Sequence, residues 1–285
     1  MAAVVETRVL ALDGLGVAFR PELAMHIERR KDLSFIEILA ENHFLDKAPE
    51  PAILQLRRRG VKVVLHSIGL SLGGAELPSK AYMNELNRVA EMYEACLISD
   101  HLAFVRSGGF ESGHLLPVKR TEETLKVIIE NISYAAEFLR LPLALENIAS
   151  YIEWPGNTMS EVEFFRAIIE SVDCSMLLDV SNLLANAFNL GISAADYLKR
   201  LPLERVAYIH VAGGQVRAGL YHDTHAHPIN GNVIETLGLA LEAGVSPAVL
   251  LERDDHFPDE ESLDRELTQV CKIMGKFTRA DLLVR

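Results

Sequence analysis

The sequence predicts a (β/α)8 TIM barrel, an α/β fold with its chemistry at the C-terminal mouth of the strands, and three observations predict it. Eight short runs rich in Val, Ile and Leu recur along the 285 residues, of the kind that forms strands buried on both faces of a parallel sheet. Most gaps between them hold a helical pattern long enough for a right-handed crossover. Six of the runs end on a side chain of metal-binding type, which gathers those side chains at one rim of a closed sheet. Asp and Glu together number 40 and His 10, about one residue in six, so six runs closing this way by chance is improbable.

In order, the expected strands run from Gly14 to Val17, Phe35 to Ala40, Val61 to Leu65, Cys96 to Asp100, Leu141 to Leu145, Met176 to Asp179, Arg205 to His210 and Pro247 to Leu251. Glu41 and Asn42 follow the second and face the mouth, placed to meet substrate or steady a ligand. The third runs into His66 and then SIGLSLGG, whose glycines let backbone approach a ligand closely. The fourth reaches Asp100 and His101. Neighbours on a strand point to opposite faces, so one of the two enters the mouth and His101 is the better candidate, leaving Asp100 to orient a neighbour or cap a helix.

The fifth strand ends on Glu146, a charge directly after a buried run, which is costly unless paired or bound to metal. A carboxylate can bridge two cations, a role imidazole does not readily fill. Asp179 makes the same case on the sixth, with Asn182 three residues on as a neutral oxygen donor or as the N-cap of the next helix. The seventh ends on His210, and YHDTHAHPI comes soon after. Asp223 and His225 are two apart, so in an extended segment they share a face with His227 and not with His222. Glu252 closes the eighth, followed by Arg253 and Asp254, a neighbouring pair of opposite charge that can steady the ligands or lie in solvent.

Between the strands, TEETLKVIIENISYAAEFLR repeats Leu125, Ile128, Ile129, Ile132 and Ala135 at helical spacing. TMSEVEFFRAIIE carries a capping-box start, Thr158 with Glu161 or Ser160 with Glu163. Two stretches, Phe104 to Pro117 and Gly213 to Asn232, are too long for plain βα turns and read as long loops at the mouth, where specificity resides. No repeat or linker interrupts the chain, so a single domain over residues 1–285 is expected.

Composition narrows the classes. With 49% apolar and 24% charged residues the chain can build a substantial core. A net charge of −12 argues against a nucleic-acid groove, which relies on Lys and Arg. Cys96, Cys174 and Cys271 are scattered, odd in number and without CxxC spacing, as in buried thiols of a reducing compartment. The opening MAAVVETRVLALDG does not read as a signal peptide and no window approaches ~18 uninterrupted apolar residues, so no membrane partner and a cytoplasmic location are expected.

The order His66, His101, Glu146, Asp179, Asn182, His210, Asp223-x-His225, Glu252 resembles the metal set of the endonuclease IV and xylose isomerase-like barrels. More specifically, EILAEN, LHSIGLSLGG, SDHLAF, LALENIASY, LLDVSN, IHVAGG, DTHAHP and LLERD resemble the multinuclear non-haem iron-dependent oxidative enzymes, which modify ribosomally made peptides. The resemblance covers nearly the whole chain and implies a ligand set. One iron takes His66, His101 and Glu146; a second shares Glu146 and adds Asp179, His210 and Glu252; a third takes Asn182, Asp223 and His225. It further implies about two to three irons in mixed ferrous and ferric states, dioxygen (O2) as co-substrate, a precursor peptide as substrate and a separately encoded small partner that binds the leader. Glu146, Asp179 and His210 are the residues expected to serve catalysis most directly.

Imidazole and carboxylate donors without thiolate suit iron or manganese and do not exclude zinc. The expected function is oxidation of a precursor peptide at a Cys, Asp or Asn residue. The competing readings are a redox-neutral sugar isomerase or phosphodiesterase on the same barrel, whose metal clamps need the same ligands, and a non-catalytic metal- or peptide-binding protein.

Overall fold

The computed structural model describes residues 12–245 and 248–277. Its elements run β1 (Leu15–Ala18), α1 (Ala24–Arg29), β2 (Leu33–Leu39), α2 (Pro51–Arg58), β3 (Lys62–His66), α3 (Lys80–Tyr93), β4 (Leu97–His101), β5 (Phe104–Ser107), β6 (Phe110–Leu116), α4 (Glu122–Phe138), β7 (Leu143–Glu146) and α5 (Glu161–Ser171). There follow β8 (Ser175–Asp179), α6 (Val180–Leu190), α7 (Ala194–Arg200), β9 (Val206–Val211), β10 (Gly213–Arg217), β11 (Leu220–His227), α8 (Gly231–Glu242), β12 (Val249–Leu251) and α9 (Glu260–Met274). A closed barrel forms in the order β1-β12-β9-β8-β7-β4-β3-β2, every neighbour parallel. These strands are the eight expected ones, shifted by a residue or two at their ends. Pro247, where the last was expected to begin, lies outside the described residues, as do residues 1–11 of the opening segment.

Strand alternation divides the interior into a plug and a site. Phe35, Val64, Leu97, Ala144, Leu177, Tyr208 and Leu250 fill the inside of the ring. Their sequence neighbours, among them Ile36, Val63, Ile98, Leu145, Leu178, Ile209 and Leu251, point outward into the core shared with the helices. Two residues beyond each plug residue comes Glu37, His66, Ser99, Glu146, Asp179, His210 or Glu252, and two beyond Ser99 comes His101. A side chain two residues on faces the same side, so the chemistry-bearing groups stand on the inner wall directly above the apolar plug.

The helices begin where their caps dictate. Thr121 accepts from the Thr124 amide at the start of α4, and of the two capping boxes expected before α5 the chain uses Ser160 with Glu163. The two stretches expected as loops are largely antiparallel hairpins, β5–β6 and β10–β11. Among the described residues no helix is long and apolar enough to cross a membrane.

Candidate metal centre

Glu146, the last residue of β7, stands at the middle of the mouth. Its Oε2 lies 3.1 Å from His101 Nε2 and 3.5 Å from His66 Nε2, while its Oε1 lies 3.3 Å from His210 Nδ1. The parallel register explains the meeting, because His66 pairs with Ser99, His101 with Glu146, and Asp179 with His210. His210 Nδ1 is also 3.1 Å from Glu252 Oε2 and 3.9 Å from Asp179 Oδ2.

Among the described residues, four groups of ligand atoms have members within 4.8 Å of one another: His66–His101–Glu146, Glu146–Asp179–His210, Glu37–His210–Glu252 and Asp179–His225–Glu252. Ligands at about 2.1 Å from a shared ion sit about 3 Å apart, the spacing seen around Glu146. Several of these atoms, namely Glu146 Oε2, Asp179 Oδ2 and His210 Nδ1, are buried with no hydrogen-bond partner. Buried polar atoms are ordinarily satisfied, so these are available to a cation.

Asp179 divides its oxygens between fold and site. Oδ1 accepts from the amides of Ser181 and Asn182 at 2.6 and 2.8 Å and so caps α6, while Oδ2 faces the cluster. Asn182 is therefore inside the first turn of α6 and is not its cap; its amide donates to the Asn147 carbonyl at 3.0 Å. From the second hairpin, Asp223 Oδ2 meets His225 Nε2 at 2.7 Å, and His225 Nδ1 lies 3.2 Å from Glu252 Oε2. Asn182, Asp223 and His225 line one cavity of about 950 Å³, together with His101, Glu41, Tyr82, Arg106 and the Leu115–Pro117 end of β6.

Charge is concentrated in this space. Glu37, Glu146, Asp179, Asp223 and Glu252 are buried facing four histidines and Arg20. Burial, then the Asp223 and Glu146 carboxylates, pushes the Asp179 carboxyl well above its ordinary range. Burial opposes ionisation of Glu252 too, yet His225 and His210 outweigh it and hold that carboxyl well below the usual range. His101 is pushed down to about 4 by burial, which Glu146 only partly offsets, so its imidazole is neutral at pH 7 with a lone pair to give. Burial lowers the His66, His210 and His225 imidazoles, but the surrounding carboxylates outweigh it and raise all three, so protons hold in this space the positive charge that a bound cation would supply.

Asp100, on the outer face of β4, accepts from Ser67 Oγ at 2.6 Å and the Leu70 amide at 2.9 Å, fixing the chain after His66. Burial lifts its carboxyl to about 7. Glu41 accepts from the Ile68 amide at 2.8 Å and from the Tyr82 hydroxyl, and its Oε2 is buried without a partner.

Asn42, His227 and Arg253 turn elsewhere, while Asp254 stays beside the cluster. Asn42 is exposed. His227 turns to Thr224 Oγ1 at 2.8 Å, because His225 adopts φ +50° and breaks the alternation on which a shared face depended. Arg253 and Asp254 do not pair with each other. Arg253 is buried against Glu266 of α9 at 2.7 Å, while Asp254 takes Arg20 at 3.1 Å and His225 at 3.1 Å.

Glu37, Arg20 and Tyr208 were not anticipated. Glu37 sits inside FIEIL, two residues past Phe35, where strand alternation alone predicts an inward carboxylate. Arg20 closes the run GVAF as His66 closes its own.

With this geometry in place, comparison with known proteins is decisive. The model of the family described as RiPP precursor modification enzyme MbnB/TglH/ChrH matches residues 14–275. The chain belongs to that family. Relatives include a UPF0276 protein of Streptomyces avermitilis, 42% identical over 94% of this chain and 56% of its own length. A UPF0276 protein of Vibrio parahaemolyticus is 31% identical over 93% of each chain. The family's fold is shared with the xylose isomerase-like barrels. A D-tagatose 3-epimerase-like protein superposes with TM-score 0.63 at 15% identity, over 92% of this chain and 98% of its own. The IOLI protein with a binding zinc atom gives 0.62 at 14%, over 93% and 99%. At such identities the likeness shows the fold alone.

Proposed function

We propose that the chain is an iron- and dioxygen-dependent oxidase that modifies a ribosomally made precursor peptide at a Cys, Asp or Asn residue. The observation that carries this reading is the pair of ligand groups that share Glu146, His66–His101–Glu146 and Glu146–Asp179–His210, the first of which reaches through His101 into the wall of a cavity large enough for a peptide segment. Family membership supports a peptide substrate.

In this reading His66, His101 and Glu146 hold one iron, and Glu146, Asp179, His210 and Glu252 a second, with Asn182, Asp223 and His225 at a third position. When bound, iron would supply electrons to dioxygen and the oxidising power to remove hydrogen from a carbon of the substrate residue. Glu146 sets the spacing of two positions with its two oxygens. Asp179, already committed to capping α6, offers its free oxygen from a rigid helix start. His210 and His66 offer one nitrogen each. Glu41 Oε2, buried at the cavity wall, accepts from a substrate amide or hydroxyl, and the two hairpins wall the site against water. A small leader-binding protein, separately encoded, completes the system in the cytoplasm, where the three free cysteines remain reduced.

Protein made in iron-rich medium and purified without oxygen tests the proposal: it should carry about two to three irons per chain and consume dioxygen with a precursor peptide. Zinc alone, with full turnover of a sugar or phosphodiester under anaerobic conditions, would establish a redox-neutral enzyme instead.

A further inference from the structure

One buried hydrogen-bonded chain ties two of the histidines together beneath the cluster. Glu37 Oε2 accepts from the Tyr208 hydroxyl at 2.5 Å and lies 2.9 Å from His210 Nε2. The Tyr208 hydroxyl is 2.8 Å from Ser99 Oγ, which is 2.9 Å from His66 Nδ1. Glu37, Ser99, Tyr208 and His210 are wholly buried and His66 is 4% exposed, so water does not enter this chain to invert its direction.

Among these five groups an ionised Glu37 alone can only accept. The polarity of the whole chain follows from that. His210 must donate its Nε2 proton to Glu37, and Tyr208 must donate its hydroxyl proton to the same oxygen. Tyr208 oxygen is then free to accept from Ser99. With the Tyr208 proton on Glu37, only the Ser99 proton can make the 2.8 Å Ser99–Tyr208 contact a hydrogen bond, so Ser99 donates there and its oxygen accepts from His66 Nδ1.

With a cation in place of the other ring proton, each ring has one nitrogen to give it, and the two are different atoms. His210 shows Nδ1 to Glu146 Oε1 at 3.3 Å, and His66 shows Nε2 to Glu146 Oε2 at 3.5 Å. A ring in the other tautomer would aim a proton at the place where a cation must sit.

We propose that Glu37 is a positioning residue: through Tyr208 and Ser99 it selects the opposite tautomers in which His210 and His66 present Nδ1 and Nε2 to the two positions joined by Glu146. This rests on the reading of the mouth as a metal centre, but not on the identity of the metal or the reaction.

The test uses zinc as a diamagnetic probe, with the full chain carrying 15N-labelled histidine. In the wild-type protein the ring signals should show a proton on Nε2 of His210 and on Nδ1 of His66. Glu37→Gln should lower zinc affinity about 10–100-fold and disturb both rings. Tyr208→Phe keeps His210 on Glu37 and cuts the link to Ser99, so it should disturb His66 and leave His210 in place. Should Glu37→Gln fail to fold, the conservative Tyr208→Phe arm decides. Protons on the opposite nitrogens in the wild type, or an unchanged His66 ring in Tyr208→Phe, overturn the proposal. A chain with these signals that neither holds iron nor consumes dioxygen defeats the oxidase reading and leaves this inference standing; an active iron enzyme with unaltered variants does the reverse. A chain that takes up neither zinc nor iron overturns both.

Discussion

Glu146 Oε2 lies 3.1 Å from His101 Nε2 with no hydrogen bond between them. The two atoms are close enough to bond and do not, at a spacing that ligands of one ion keep.

Glu146 should therefore matter more than any one histidine. Glu146→Gln keeps the shape and removes the charge that, in the proposed arrangement, would offset two cations. At least one iron should be lost, with turnover falling by two or more orders of magnitude. Metal analysis and a peptide assay measure it; full metal content with full activity would show that Glu146 joins nothing.

The position at Asn182, Asp223 and His225 should be the most labile. His225 is on a hairpin outside the barrel, its side chain 18% exposed where those of Glu146, Asp179 and His210 are at most 1%. Mild chelation should strip this ion first, and Asp223→Ala with His225→Ala should retain roughly two irons. Stepwise chelation with metal analysis checks the order, and prior loss of the pair at Glu146 would reverse it.

Gly213 offers a way to move that position without touching a ligand. A Cβ at Gly213 would overlap the carbonyl oxygens of His227 and Pro228 on the facing strand. Gly213→Ala should spread β10 from β11, displace Asp223 and His225, and cost the third ion while sparing the other two. Equal loss at all positions would show that the hairpin and the barrel do not act separately.

Glu161, which belongs to none of the ligand groups, should set a pH dependence of stability. Burial raises its carboxyl from 4.5 to about 7, against Arg120 and the Tyr197 and Asn186 hydrogen bonds. The folded state holds this proton more tightly than the unfolded one. Its cost to stability is absent below pH 4.5, grows between 4.5 and about 7, and is constant above. Glu161→Gln should match the wild type at pH 4 and exceed it by about 1–3 kcal/mol at pH 8, read as denaturation midpoints at both pH values. An equal gain at pH 4 would assign the effect to packing.

The barrel was legible because strands buried on both faces must be apolar throughout, and His66, His101, Glu146, Asp179 and His210 interrupt that pattern at their ends. Glu37 was missed since it interrupts FIEIL from within, where a charge reads as an exposed position of an amphipathic strand. The hairpins hid behind Gly108, Gly109 and Gly219, whose turns dominate the local composition while the short flanking strands carry little alternation. Arg253 and Asp254 illustrate a different limit. Opposite charges adjacent in sequence suggest a pair, whereas the end of β12 sends one toward α9 and the other toward Arg20.

The barrel closes only when β12 slips between β9 and β1. At about 5–20 residues per second, Glu252 leaves the ribosome roughly 10–40 s after His66. Throughout that interval the growing chain displays imidazoles and carboxylates with no shape to discriminate among ions, so loose capture follows the general order of divalent affinities, which ranks copper and zinc above iron. Only closure imposes geometry, and it does so on every strand at once. If the mouth is the metal centre proposed above, the cell's supply of free cations at the moment of closure would bear on which metal a newborn molecule carries.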